Sequence, residues 1–147
     1  MRQRPPNPAF ETDVRTSFAR QKVMEAIGAE IAQIAPGEVS IEMPFREDLT
    51  QQDGFLHAGV LAAILDSACG YAAMTLVPAG SRVLTVEFKA SFLAPARGER
   101  FEARAIVKKT GRTLTTSQAD AYAVADGRET LVATMLATIM TLPPSSD

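Results

Sequence analysis

The stretch QQDGFLHAGVLAAILDSACGY, from Gln51 to Tyr71, decides the fold. It places the only histidine of the chain, His57, at the start of a long apolar helix, and one carboxylate, Asp66, inside that helix. An acid with no nearby cation on a helix of this kind calls for an explanation. Apolar residues three and four positions apart form one side of this helix, and small residues around Asp66 form another side. The core side comprises Leu61, Ile64, Leu65 and Ala68, and the small side comprises Ala62, Ala63, Cys69, Gly70 and Ala73.

Composition limits the classes of protein that this chain can belong to. Its 147 residues, 46% of them apolar, suit one domain with a real core, which oligomerisation would stabilise further. A net charge of -2 argues against a nucleic-acid binder. The single cysteine, Cys69, cannot form an internal disulfide, and the start MRQRPPNPAFE has charges and three prolines instead of an apolar leader. We therefore expect a cytoplasmic protein.

The apolar stretch from Ala58 to Val77 is long enough to be compared with a membrane span, which needs about 20 residues. Asp66 lies at its centre, where a charge is costly, and glycine, alanine and serine dilute its hydropathy. We expect instead a helix wrapped by a sheet, without membrane contact. One histidine and scattered acids predict no metal site.

The remaining segments predict a helix-and-sheet order. Asp13 can cap an amphipathic helix that runs through Ile27 and ends at Gly28. Strands at 29–34 and 39–45 follow, joined by a Pro36-Gly37 turn, and the long helix ends near residues 78–80. Four strands come next, and Thr110-Gly111 and Asp126-Gly127 separate the last three. This order indicates an α+β class, with residues 1–12 as a flexible arm, 13–142 as one domain and 143–147 as a flexible tail.

The strand after the long helix shows a period of two. Its predicted buried face comprises Leu84, Val86, Phe88, Ala90 and Phe92.

The geometry of the long helix suggests chemistry. Its first turn leaves backbone N–H groups unpaired, so the amides of Ala58 and Gly59 can hold a carbonyl oxygen that becomes negative during attack. Asp66 lies eight residues beyond Ala58, which is about 12 Å along the axis and too far for one reaction centre. If both groups serve one reaction, Asp66 must therefore come from a second subunit whose helix runs antiparallel to the first, giving a homodimer with two composite sites.

The segment GFLHAGVLAAILDSACG resembles the signature of hotdog-fold acyl-CoA thioesterases of the phenylacetate-degradation (PaaI-like) type, in the 4-hydroxybenzoyl-CoA thioesterase superfamily. The usual form of that signature is Asn-x-x-Gly-x-x-His-Gly-Gly followed by an Asp in the helix. The resemblance implies a hotdog fold, in which a curved antiparallel sheet of about six strands wraps a long central helix and a short N-terminal helix is added. It also implies a dimer that pairs into a dimer of dimers.

The resemblance assigns roles to single residues. Asp66 is the general base or nucleophile, His57 and the Ala58 amide shape the thioester pocket, and Thr85 matches a hydroxyl residue that supports the acid. Gln51 takes the place of the asparagine that orients water or substrate, although Gln52 can substitute for it. Ala58 replaces a glycine and adds a methyl group near the oxyanion position.

Coenzyme A contacts are implied for two segments. Six basic and two acidic residues give the stretch from Arg97 to Arg112 a charge of +4, which suits phosphate groups but also a solvated outer strand. The residues implied are Phe92, Leu93, Pro95, Arg97, Lys109, Thr110, Gly111, Arg112 and Thr113.

Three functions compete at this point. The first is hydrolysis of an acyl-CoA thioester, which needs no cofactor, with the acyl chain in an apolar tunnel between helix and sheet. The second is hydratase or dehydratase chemistry with His57 as base, and the third is a non-catalytic acyl-CoA sensor. The site residues also have structural interpretations: Asp66 can pair with Ser67 or Thr85, His57 can cap the helix, and Cys69 can fill a buried space.

Overall fold

The computed structural model describes residues 3–145. Residues 1–2 of the predicted arm and 146–147 of the predicted tail lie outside that range. The elements in chain order are helices α1 (Phe10–Ala19) and α2 (Lys22–Ala26), strands β1 (Glu30–Ala35) and β2 (Glu38–Pro44), a 3-10 turn (Glu47–Leu49), helix α3 (Ala58–Met74), and strands β3 (Arg82–Phe92), β4 (Arg100–Thr110), β5 (Leu114–Ala125) and β6 (Arg128–Leu142).

The six strands form one antiparallel sheet in the order β1-β2-β4-β5-β6-β3, which curves around α3. Helix α3 packs against five of the strands, β2 to β6. Inward side chains alternate with outward ones along β4 and β5, as the period of two requires. The fold is therefore the hotdog arrangement of one central helix inside a curved sheet, and the predicted class is confirmed.

Helix α3 has two different sides. Leu61, Ile64, Leu65 and Ala68 are buried, as predicted. Cys69 and Ala73 are also fully buried, so assigning them to the small-residue side was wrong. That side is narrower than predicted, because Cys69 and Ala73 lie where the sheet curves around the helix. Its exposed or partly exposed residues, called the open side from here on, are Gly59, Ala62, Ala63, Asp66, Gly70 and Met74.

The N-terminal helix differs from the prediction. It begins at Phe10, and Asp13 lies inside it, where the carboxylate accepts a hydrogen bond of 2.7 Å from Asn7 Nδ2. The chain then becomes extended at Gln21 (ψ 99°), so that two short helices replace one. Gly28, with φ +72°, ends the second helix as predicted.

Strand β3 carries a bulge that the alternating pattern did not reveal. Its pairing with β6 shifts register between Thr85 and Glu87, so Val86 is the extra residue. Because paired residues share a face, Thr85 (opposite the buried Ile139) and Phe88 (opposite the buried Ala137) both point toward α3. Leu84 points away.

The predicted burial of this strand is also wrong for the single chain. Leu84 and Val86 are more than half exposed, and Phe88 and Phe92 are 47% exposed, because β3 is an edge strand.

The turns follow the predicted dipeptides. Asp126 and Gly127 both have positive φ, which is the backbone of the tight hairpin between β5 and β6. Gly37 (φ +78°) turns the chain between β1 and β2, and its N–H donates to Thr75 Oγ1 at the end of α3. Within residues 3–145, no helix has the length and hydropathy that crossing a bilayer would require.

Candidate active site

Asp66 is held by one hydroxyl group. Thr85 Oγ1 donates to Asp66 Oδ1 over 2.6 Å, and this contact exists because the bulge in β3 turns Thr85 toward the helix. Ser67 is not the partner of Asp66, since its hydroxyl donates to Gln21 Oε1. In the described part of the chain, no cationic nitrogen lies within 4 Å of the Asp66 carboxylate. One carboxylate oxygen therefore stays available for a proton or for substrate.

The N-terminal tip of α3 is capped by His57. Its Nδ1 accepts a hydrogen bond of 2.8 Å from the Gly59 N–H, and its backbone oxygen accepts from Val60 and Leu61. A Cβ on Gly59 would lie 2.9 Å from that same Nδ1, so the cap requires glycine at this position. The structural interpretation of His57 as a helix cap is confirmed.

This cap changes the predicted oxyanion site. The Gly59 amide already has an acceptor, so its predicted availability to a carbonyl oxygen was wrong for this conformation. The Ala58 N–H has no acceptor among residues 3–145. It lies in the first turn of the helix, where the positive end of the helix dipole also acts.

Gln51 shapes the loop that leads into the helix. Its Oε1 accepts hydrogen bonds from the backbone N–H groups of Asp53 and Phe55, and Gly54 makes the turn with φ +84°. Gln52 is exposed, and its side chain donates a hydrogen bond to Asp53. A role for Gln51 or Gln52 in orienting water or substrate stays a prediction.

The two segments predicted to contact coenzyme A lie at opposite ends of the sheet. At one end, the Leu56 N–H donates to the Ala96 oxygen, and the Arg97 guanidinium stacks 5.1 Å from the centre of the Phe55 ring. The first segment is therefore placed beside the tip of α3. Its predicted contact residues are Phe92, Leu93, Pro95 and Arg97.

The second segment is the turn between β4 and β5, at the end of the sheet where β3 begins. There, the Thr113 oxygen accepts from the Thr141 N–H. Gly111 is needed in this turn, because a Cβ would lie 2.7 Å from the Leu114 oxygen. The residues involved are Lys109, Thr110, Gly111, Arg112 and Thr113.

Two arginines of the basic stretch have acidic partners. Arg104 forms hydrogen-bonded ion pairs with Glu102 and Glu129 and stacks 4.4 Å from the Tyr122 ring centre. These pairs raise the pKa of Arg104, and the Arg104 hydrogen bond lowers the pKa of Glu129. Arg100 lies within 4 Å of carboxylates of Glu42 and Glu102. Glu102 is already counted in the charge of +4, so Glu42 and Glu129 reduce that excess to +2.

The cavity beside Asp66 is bounded by α1, α3 and the start of β3. It has a volume of about 730 Å³, and Asp66 and Thr85 form part of its wall. Residues from α1 and the α1–α2 junction that were not predicted as site residues also line it, namely Asp13, Thr16, Ser17, Arg20 and Gln21. The signal was present in the sequence, because residues 13, 16, 17 and 20 share one face of a helix.

Cys69 is chemically quiet. Burial, and to a lesser degree the charge of Asp66, raise the pKa of its thiol to about 12. The thiol therefore stays protonated near neutral pH and is a buried filler, as predicted.

A carboxylate in a cavity wall, held by a hydroxyl inside a hotdog fold, fits the thioester hydrolase class, and the comparisons with known proteins place the chain in that class. A family model described as the thioesterase superfamily matches residues 53–130. Human acyl-coenzyme A thioesterase 13 is 31% identical over 107 residues, which are 68% of this chain and 76% of the human protein. The chain belongs to the thioesterase superfamily.

Solved structures agree with this assignment. A thioesterase family protein from Silicibacter pomeroyi is 56% identical, with a TM-score of 0.89 over 90% of this chain and 98% of that one. The PaaI protein from the phenylacetic acid degradation operon of E. coli has a TM-score of 0.83 over 95% of this chain and 98% of that one, at 16% identity. At that identity the likeness to PaaI supports the fold alone.

Proposed function

We propose that this protein hydrolyses acyl-coenzyme A thioesters to a carboxylic acid and free coenzyme A, at sites shared between two subunits. The observation that carries the proposal is the Asp66 carboxylate, which lies in the wall of a 730 Å³ cavity and is held by Thr85 without a neutralising cation in the described chain. The similarity to human acyl-coenzyme A thioesterase 13 supports coenzyme A as the thiol component.

The dimer follows from what the single chain leaves uncovered. The open side of α3 is partly exposed, and a Cβ on Gly70 would meet no atom within 4 Å. Next to it, β3 is an edge strand with exposed apolar side chains, which is an aggregation hazard unless a partner covers it. Pairing of two β3 edges about a two-fold axis would cover both surfaces and set the two α3 helices antiparallel.

This arrangement also brings the separated halves of the site together. Asp66, Thr85 and the turn at Lys109–Thr113 belong to one end of the sheet, whereas the tip of α3 and Arg97 belong to the other. A two-fold axis at the β3 edge places the first end of one subunit beside the second end of its mate. Each composite site then holds a carboxylate from one chain and a helix tip from the other.

The chemical step requires only water as a second reactant. Asp66 removes a proton from a water molecule whose oxygen forms a bond to the thioester carbonyl carbon. The carbonyl oxygen becomes negative and accepts a hydrogen bond from the partner's free helix-tip amide, the counterpart of the Ala58 N–H. The C–S bond then breaks, and the proton passes to the departing thiolate. No cofactor is needed.

Hydratase chemistry through His57 receives no support from its hydrogen bonding. Nδ1 is occupied by the Gly59 N–H, so the neutral ring carries its proton on Nε2 and presents a donor rather than a base. A non-catalytic sensor stays an outcome of the test below.

The main test measures thiol release from a panel of acyl-CoAs. Asp66→Asn should lower kcat/KM by a factor of about 10² to 10⁴, the usual contribution of a general base. Asp120→Asn is a matched control, because Asp120 also accepts a hydrogen bond from a threonine, Thr134, but lies on the outer face of the sheet. Binding of acyl-CoA without thiol release by the wild type would identify a sensor, and enoyl-CoA consumption without thiol release would identify a hydratase.

The shared site has its own test. Ala58→Pro removes the tip N–H at the first helical position, where proline is well tolerated. His57 has φ -60° and ψ 135°, the extended conformation that a residue before proline prefers, so the helix should persist. Ala58→Pro and Asp66→Asn proteins should each be inactive alone.

When these variants are mixed in equal amounts and allowed to exchange subunits, half of the dimers become mixed, and each mixed dimer has one intact site. Activity should recover to about a quarter of the wild-type value. Full exchange without recovery would show that each chain forms its site alone.

A second interface completes the proposed assembly. Leu84, Met140 and Leu114 are paired neighbours on the outer face of three adjacent strands, and both leucines are about half exposed. This apolar row would allow two dimers to pack as a dimer of dimers. A cytoplasmic location also stays a prediction.

A further inference from the structure

The cavity beside Asp66 is not the apolar tunnel that was predicted. One wall, formed by α1, the α1–α2 junction and the facing side of α3, is polar, with Ser17, Arg20, Gln21, Ser67 and Tyr71. The opposite part is apolar, with Met74, Val83 and Leu142. A plain alkyl chain would fill the apolar part but would also cover polar groups of the other wall.

Four neutral polar groups of this wall already have partners. The hydroxyls of Ser17 and Tyr71 lie 3.3 Å apart, and Ser67 donates to Gln21 over 3.1 Å. These pairs form a framework that positions the α1–α2 junction against α3. Arg82 also borders the cavity, but it shares the outer face of β3 with Leu84. The pairs therefore leave the cation at that junction as the group with spare hydrogen-bonding capacity.

Arg20 is that cation. It follows the last residue of α1 and lies close enough to Tyr71 that its charge opposes the rise in the pKa of Tyr71 caused by burial. Among residues 3–145, no carboxylate lies within 4 Å of its guanidinium. Asp13, the acid on the same face of α1, already accepts from Asn7. Arg20 therefore borders the cavity as an exposed side chain without an ion-pair partner in that range, and its guanidinium offers five N–H donors.

The position of Asp66 decides which part of a substrate enters this cavity. If Asp66 activates the attacking water, the thioester carbonyl carbon lies beside it, and one arm of the thioester must extend into the space that Asp66 borders. The coenzyme A arm leads instead toward the partner's helix tip and the neighbouring Arg97 stacked on Phe55. The acyl arm is then the one that meets Arg20.

We infer that Arg20 is a specificity residue, which binds a carboxylate at the far end of the acyl group. This inference rests on the proposed thioesterase function and narrows its substrate class to short or medium acyl-CoAs that carry a second acid group. The apolar part of the cavity would hold the methylene groups between the two ends. A methyl-ended acyl group cannot accept these hydrogen bonds, so it gains nothing from Arg20, which stays exposed to water.

The test uses substrate pairs of the same shape. Succinyl-CoA and isocaproyl-CoA share one heavy-atom skeleton and differ in that a terminal carboxylate replaces a terminal isopropyl group. The wild type should show a kcat/KM for succinyl-CoA at least about tenfold above that for isocaproyl-CoA, as expected for a charge-assisted hydrogen bond. Glutaryl-CoA and adipyl-CoA, each with its branched apolar counterpart, extend the comparison to longer chains.

The variants isolate the charge. Arg20→Gln should lower kcat/KM about tenfold or more for the carboxylate-ended substrate and leave the apolar one nearly unchanged. Arg15→Gln is the matched control, because Arg15 lies on the same helix, is exposed and pairs with Glu11 away from the cavity. Arg15→Gln should leave kcat/KM unchanged for both substrates. Unfolding midpoints of both variants verify that the fold is intact.

Several results would overturn the inference. If Arg20→Gln lowers kcat/KM equally for both substrates of a pair, Arg20 acts on the coenzyme A arm, which the two substrates have in common. Equal wild-type rates within every pair, or no effect of Arg20→Gln, would show that the acyl end is not recognised there. Thiol release without preference defeats this inference alone, whereas no thiol release from any acyl-CoA defeats the proposed function as well.

Discussion

The two sides of α3 meet opposite conditions in one chain. On the core side, Ile64 and Leu65 are fully buried under the sheet, and the facing strand β5 is central and mostly covered. On the open side, Asp66 and Gly70 are partly exposed, and the facing strand β3 is an edge with exposed apolar residues. The core side is fully covered within one subunit. The open side has small and apolar residues typical of a protein interior, but no other part of the described chain covers it. The candidate chemistry belongs entirely to the incomplete side.

The largest expected effect comes from the core side. Leu65→Ala should lower the free energy of unfolding by about 3 kcal/mol, because it leaves a cavity in a closely packed region. Met74→Ala removes the same number of heavy atoms from a partly exposed position and should cost about 1 kcal/mol or less. Urea unfolding measures both. Equal losses would mean that α3 is covered equally on both sides in the assembled protein.

A substitution on the open side should change the stability of the dimer and not that of the folded subunit. Gly70→Leu has room in the single chain and improves helix propensity, so the subunit should not be strained. If the open side packs against a partner, the added side chain should weaken the dimer by about 2 kcal/mol, which is roughly 30-fold in the dissociation constant.

Sedimentation equilibrium would measure that shift. Ala26→Leu, at the exposed end of α2, is a control that should leave the dimer unchanged. A Gly70→Leu protein that dimerises as tightly as the wild type would place the interface elsewhere.

The sequence predicted the parts of this comparison that depend on local pattern. Helical spacing identified α3 and its core residues, and turn dipeptides identified the strand boundaries at Thr110-Gly111 and Asp126-Gly127. The bulge at Val86 was not predictable in this way, because it depends on the pairing with β6. Apolar and polar residues alternate along the sequence of β3 without a break at this position. That bulge is nevertheless what turns Thr85 toward Asp66.

The site was predictable where one residue type carries the role. Asp66 was found because a carboxylate in an apolar helix is unusual, and Thr85 was found through the family resemblance. Arg20 was missed because an arginine near a helix end is ordinary in sequence, and only tertiary packing places it in the cavity wall. The availability of the Gly59 amide to substrate was wrongly predicted, because no sequence pattern shows that this N–H donates to His57 Nδ1.

The core side also predicts a pH dependence at Cys69. Its pKa of about 12 in the folded state exceeds that of an unfolded thiol, so the unfolded chain loses its proton first as the pH rises. The stabilising contribution is complete below the unfolded pKa and declines as the pH approaches the folded one. At pH 10 the loss should be about 1.5 kcal/mol.

Comparing wild type with Cys69→Ala at pH 8 and pH 10 isolates this contribution from other groups. The wild type should lose more stability than the variant over that interval, and its thiol should resist alkylation until the chain unfolds. Identical slopes, or rapid alkylation of the folded protein, would show that the core side admits solvent.

The smallest expected effect concerns the strand that covers the core side. Among residues 3–145, Thr115 Oγ1 and Ser117 Oγ on β5 are buried without hydrogen-bond partners. This has a cost that Thr85 on β3 does not incur, because its hydroxyl donates to Asp66. Thr115→Val keeps the shape, removes the unpaired hydroxyl and should raise the free energy of unfolding by about 1 kcal/mol. Thr116→Val, one residue along on the outer face, is the matched control and should change it by less than about 0.5 kcal/mol. A loss of stability in Thr115→Val would mean that a buried water molecule is hydrogen-bonded to this hydroxyl, and that water enters the core side.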